Sequence, residues 1–176
     1  MLKKIFIILF FIAIAALQTV LSPRIAIFGV KPDFLLIVVV VWGITRGGKE
    51  GGIVGLGAGF LEDILSANFY IHTFTKAIAG FFSGVIKRIF GTVSALIYII
   101  SVGVLTPISY ILEIMAFYFF FGRQLPGAYS IFSVMVLSAI YNAALTAILF
   151  PAIVRVSQGL SGDGRDSLKE YKLYRI

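Results

Sequence analysis

The 176-residue sequence has no cysteine, one histidine and one tryptophan, and only 13 % of it is charged. Without cysteine there is neither a disulfide framework nor a thiolate metal site. The lone histidine, His72, stands at a helix-loop junction, where it reads as an interfacial residue or turn stabiliser rather than a metal ligand. No serine has the spacing of a nucleophile elbow, and no glycine-rich loop has the phosphate-binding pattern. Nothing in the sequence therefore supports catalysis, and no cofactor or metal is implied.

What is abundant is apolar. Hydrophobic residues make up 60 % of the chain and mean hydropathy is +1.03, far from the soluble balance of about 25 % charged residues. The expected class is an all-α integral membrane protein. Apolar blocks fill residues 1–156, which read as one six-helix transmembrane domain, and 157–176 read as a cytoplasmic C-terminal tail. The net charge of +7 does not point to nucleic acid. In such a chain the distribution of Lys and Arg orients the helices.

The first apolar run follows Lys3 and Lys4. Ala13-Ile14-Ala15 mimics a signal-peptidase site, but the run continues past it to Leu21, long enough to span. A connector with Pro23 and Pro32 leads to Asp33, a start signal for a second helix over 34–44. After a polar turn at 45–50, the third helix occupies 51–66 and carries five glycines. Each would cost about 0.8 to 1 kcal/mol against Ala in a soluble helix, whereas in lipid small residues serve close packing. At 100° per residue, Gly51, Gly52, Gly55, Gly59, Glu62, Asp63 and Ser66 share one side, with Leu56 the one large apolar intruder.

The fourth helix, over 71–86, repeats the pattern. Thr73, Lys76, Ala77, Gly80, Ser83 and Gly84 share a side, while Phe74, Ile78, Phe81, Phe82 and Val85 take the other. The short turn at 67–72 makes these two helices antiparallel neighbours, and their smooth faces are expected to meet each other or a common centre. The block 91–121 exceeds one straight crossing and must tilt, kink at Pro107 or protrude. Its aromatic residues Tyr110 and Phe117 to Phe121 read as lipid-facing or belt aromatics, with a binding platform as the lesser alternative. A last helix over 131–153 aligns Ser138, Asn142 and Thr146. Six crossings put both termini on one side together with eleven Lys and Arg, against Arg24, Lys31 and Arg123 opposite. By the positive-inside rule both termini are cytoplasmic, and the basic segment 169–175 can lie on anionic membrane lipid.

Glu62, Asp63, Lys76 and Glu113 fall inside predicted spans, within about three turns of the outer surface. Charges at such depth usually face inward and have partners, so Lys76 is expected to pair with Asp63 or Glu62. The cluster is either an ion pair that fixes helix packing or a polar pocket able to admit a cation or proton.

The order Lys31-Pro32-Asp33 before an apolar helix, then Gly55-x-x-x-Gly59-x-x-x-Asp63-x-Leu65-Ser66, then a short turn ending in His72, resembles the rod shape-determining MreD family. Pro32, Asp33, Asp63 and His72 are the positions that carry the motif. Family members often have Pro and Gly in the turn after the glycine helix, where this chain has Asn68 to Tyr70. The resemblance implies a non-catalytic bacterial inner-membrane scaffold of the cell-elongation machinery. It implies direct binding of the bitopic protein MreC, an indirect link to MreB filaments and peptidoglycan synthases, and a second copy of the chain as a further candidate partner. It also implies a fold similar to the substrate-binding subunits of energy-coupling-factor vitamin transporters. The alternative function is thus a small-molecule uptake subunit, against which Ala13, Ala15 and Ala16 lack the Ala-x-x-x-Ala docking spacing of those subunits.

Overall fold

A computed structural model describes residues 2–66, 70–90 and 94–159, with side chains from residue 5 onward. Among these residues the chain is all-helical: α1 Leu2–Val20, α2 Phe34–Arg46, α3 Gly48–Ser66, α4 Ile71–Phe90, α5 Ala95–Phe121 and α6 Ala128–Gly159. Two of them, α5 and α6, are long and apolar enough to cross a membrane, and the apolar stretches of α1 and α2 are shorter.

The bundle is built around α2, which touches all five other helices. Its sequence, F-L-L-I-V-V-V-V-W-G-I, is apolar on every side, and a helix apolar all round must be enclosed. Every residue from Phe34 to Ile44 is indeed buried. Asp33 caps this helix, its Oδ1 accepting the Leu36 amide at 2.8 Å, which fulfils the start signal read from the sequence.

The glycine faces of α3 and α4 meet, and the two helices form the most extensive pair in the bundle. A Cβ at Gly55 would fall on the Lys76 carbonyl, one at Gly59 on the His72 carbonyl and one at Gly51 on the Gly80 carbonyl. In return, Gly80 presses on the Gly51 backbone and Gly84 on the Gly48 backbone. Gly43 of α2 joins this contact against Gly80 and Ser83, a third glycine surface the sequence reading missed. Leu56 does not intrude on the glycine face, because at 45 % exposure it lies at the margin.

The outward faces carry Phe74, Phe81, Phe82, Ile53, Ile64 and Ile148, whereas Glu62, Asp63, Lys76, Asn142 and Thr146 are buried. Polar inside and apolar outside is the distribution of a bundle surrounded by hydrocarbon.

Several boundaries differ from the sequence reading. The fourth helix runs on to Phe90, which places Lys87 and Arg88 in its last turn, where cations complement the helix dipole. The fifth is continuous for 27 residues with Pro107 inside it. The last begins at Ala128 and continues to Gly159, taking in the first residues assigned to the tail. The apolar-to-polar change near residue 154 marks the end of apolar sequence, and the backbone ladder does not stop there. The turn at 67–69 and the tail from 160 onward lie outside the described residues.

Candidate functional site

The length of α2 creates the site. Thirteen residues give a helix of about 20 Å, so its N-terminus stops inside the bundle. There the Asp33 amide donates to Asn142 Oδ1 of α6 at 2.9 Å, and Asn142 Nδ2 donates to Thr106 of α5 at 3.2 Å. From those positions α6 extends back to Ala128 and α5 on to Phe121, each by about another 20 Å. The recess above the α2 N-terminus is a cavity of about 330 Å³. Its walls include Asp33, Glu62, His72, Ser109, Glu113 and Asn142, and the connector 29–32 forms one edge. That connector is tied down by Gln18, which donates to the Pro32 carbonyl and accepts from the Phe34 amide, and by Ser22, which donates to the Pro32 carbonyl.

Lys76, fully buried on α4, is central to the electrostatics. Its Nζ donates to Asp33 Oδ2 at 2.8 Å and lies 2.5 Å from Glu62 Oε2. The Glu62 contact is an ion pair without the angular geometry of a hydrogen bond. Lys76 therefore joins α4 to α3 and to the start of α2. Of the two partners expected for Lys76, Glu62 is present and Asp63 is not, while Asp33 takes the second place. The reason is local: Asp63 caps α4. Its carboxylate accepts the His72 amide at 3.1 Å, the Thr73 amide at 2.8 Å and the Thr73 hydroxyl at 2.6 Å, satisfying donors that a helix start leaves unpaired.

His72 Nδ1 and Glu113 Oε1 are 3.1 Å apart. A carboxylate only accepts, so Nδ1 carries the proton in this contact. The same Glu113 oxygen accepts from Thr75 at 3.4 Å, which links α5 to α4. His72 is thus a partly buried bridge between α4 and α5 as well as a junction residue, and among the described residues no group of three His, Cys, Asp or Glu is arranged to hold a metal. Tyr110 departs from the lipid-facing assignment and lines the cavity, while Phe119 and Phe120 do face outward, at 74 % and 80 % exposure.

The sequence-predicted residues fall into two sets. Glu62, Asp63, Lys76, Glu113, Asp33 and His72 converge at the cavity end of the bundle, and Gly51, Gly55, Gly59, Gly80 and Gly84 form the α3/α4 seam. Pro32 is buried, with its carbonyl receiving Gln18 and Ser22. The alignment of Ser138, Asn142 and Thr146 on α6 was legible, but the contact of Asn142 with the α2 N-terminus was not.

The arrangement around Asp33, Asp63 and His72 accounts physically for the motif that suggested a family. The family model for the rod shape-determining protein MreD matches residues 1–158. The chain belongs to the MreD family. It is therefore a rod shape-determining protein of a membrane protein family. Comparison with curated proteins and with solved structures gave no match, and the likeness to energy-coupling-factor subunits rests on the resemblance alone. In this MreD-family chain, Pro32-Asp33, Asp63 and His72 act together at helix starts. They begin α2 and α4 and tie those starts to α3, α5 and α6.

Proposed function

We propose that this MreD-family chain is a non-catalytic scaffold in the bacterial inner membrane, crossing it six times with both termini in the cytoplasm. In this reading it holds the single transmembrane helix of MreC and through it links MreB filaments to peptidoglycan synthases, and a second copy of the chain is a further partner. The membership of the family supports the rod-shape role. The observation that carries the scaffold reading is the structural engagement of the ionic groups: Asp33, Asp63, Lys76, Glu62, His72 and Glu113 each cap a helix or join two of them. The glycine seam is consumed between α3 and α4, so a partner helix meets one of the outward aliphatic and aromatic faces. Association there proceeds by van der Waals packing, as between membrane helices in general. The Lys and Arg asymmetry of the sequence supports the orientation.

The cavity favours a second reading, a small-molecule uptake subunit, which needs an ATPase module as partner. Affinity purification from mild detergent separates the two. The scaffold reading expects MreC in stoichiometric amount. Recovery of an energy-coupling ATPase module with a vitamin-sized ligand, and no MreC, overturns it.

A further inference from the structure

Three carboxylates, from Asp33, Glu62 and Glu113, line the 330 Å³ cavity. Lys76 behind its wall and Lys31 at its exposed edge are the cations set against them. Three carboxylates against two ammonium groups give the cavity an acidic wall in an otherwise apolar bundle, a setting that favours a cationic occupant over an anionic one. Hydrogen-bonding capacity is unused as well. Glu62 meets Lys76 through Oε2, and Glu113 meets His72 and Thr75 through Oε1; among the described residues the other oxygen of each carboxylate has no partner.

An independent observation points the same way. Ser109 is only 5 % exposed, lines the cavity, and has no hydrogen-bond partner among the described residues. The neighbouring Thr106 and Ser101 both donate to carbonyls of their own helix, whereas the Ser109 hydroxyl stays open to the cavity and is free to bond what enters it. Ser109 stands one helical turn before Glu113, on the same face of α5. The cavity holds about ten water volumes, which suits an organic group rather than a bare ion.

We propose that this cavity binds a primary ammonium group, with Glu62 and Glu113 accepting its N–H bonds and Ser109 completing the shell. Two sources share this chemistry, a soluble amine and the ethanolamine headgroup of a membrane lipid. The proposal does not depend on which protein the chain binds.

The test uses the full chain in phosphatidylglycerol nanodiscs, which contain no amine, titrated calorimetrically with ethanolamine hydrochloride. Ethylene glycol serves as the uncharged analogue. Saturable heat is expected with ethanolamine alone. Ser109→Leu, which fills the cavity without touching an ion pair, and Glu113→Gln, which can still accept from His72, are each expected to weaken binding roughly tenfold or more. Helical circular dichroism and unfolding temperature check that each variant is folded, and either folded variant decides the outcome. In discs containing phosphatidylethanolamine, loss of the ethanolamine heat together with that lipid retained in native mass spectrometry assigns the headgroup as source. An unchanged titration there assigns a soluble amine. No saturable heat from the wild-type chain, equal heat from ethylene glycol, or wild-type affinity in a folded variant overturns the proposal.

Discussion

Lys76 and Asp33, 43 residues apart, meet at 2.8 Å with the lysine fully buried, so one ammonium joins α4 to the N-terminus of the central helix. Removing one member of a buried pair leaves the other uncompensated, at a cost of about 3 to 5 kcal/mol where burial is deep. Lys76→Met strands both Asp33 and Glu62, so it is expected to lower the unfolding temperature in detergent by more than the double change Lys76→Met with Asp33→Asn. Additive losses in that cycle argue against the pairing.

Asp63 is expected to behave differently because its bonds go to the start of α4 and not to Lys76. Asp63→Ala removes a helix cap and should cost about 1 to 2 kcal/mol. Its effect should add to that of Lys76→Met. A strong coupling energy between the two, measured by the same unfolding assay, contradicts the assignment of Asp63 as a cap.

Two glycines on one helix give an internal control. Gly59 lies against the His72 backbone, whereas a Cβ at Gly57 meets nothing within 4 Å. Gly59→Ala should therefore force α3 and α4 apart and depress folding yield and thermal stability. Gly57→Ala should be neutral or stabilising by up to about 1 kcal/mol. Equal responses would falsify the close packing of the seam.

Asn142 holds the α2 start by accepting from the Asp33 amide and donating to Thr106. Asn142→Leu preserves volume but leaves that buried amide without an acceptor, which costs about 1 to 3 kcal/mol. Asn142→Gln, with the same groups on a longer stem, is expected to recover part of the loss. Detergent-resistant folding followed by circular dichroism reads both variants.

The proposed orientation is checked with single cysteines, for which the cysteine-free chain is a ready background. Gln124 lies in the exposed segment between α5 and α6, and Lys49 sits at the start of α3. Gln124→Cys should react with an impermeant maleimide in intact cells, and Lys49→Cys only after the membrane is opened. The reverse pattern inverts the topology.

Periodicity and capping made much of this legible in the sequence, because both are local. The apolar run at 34–44 marked α2, Asp33 marked its start, and the one-sided small residues at 51–59 and 80–84 pointed to the α3/α4 seam, whereas the enclosure of α2 by all five other helices emerged only in the bundle. Long-range pairing was decided only by the tertiary structure. Both Asp33 and Asp63 were chemically able to meet Lys76, and a helical wheel cannot tell which carboxylate is already occupied by amides at a helix start. The cavity belongs to the same category. It exists because a helix of 13 residues ends against Asn142 and Thr106 while α5 and α6 continue past it, and relative depth is set by which side chains lock together across the bundle, a quantity that no single helix encodes.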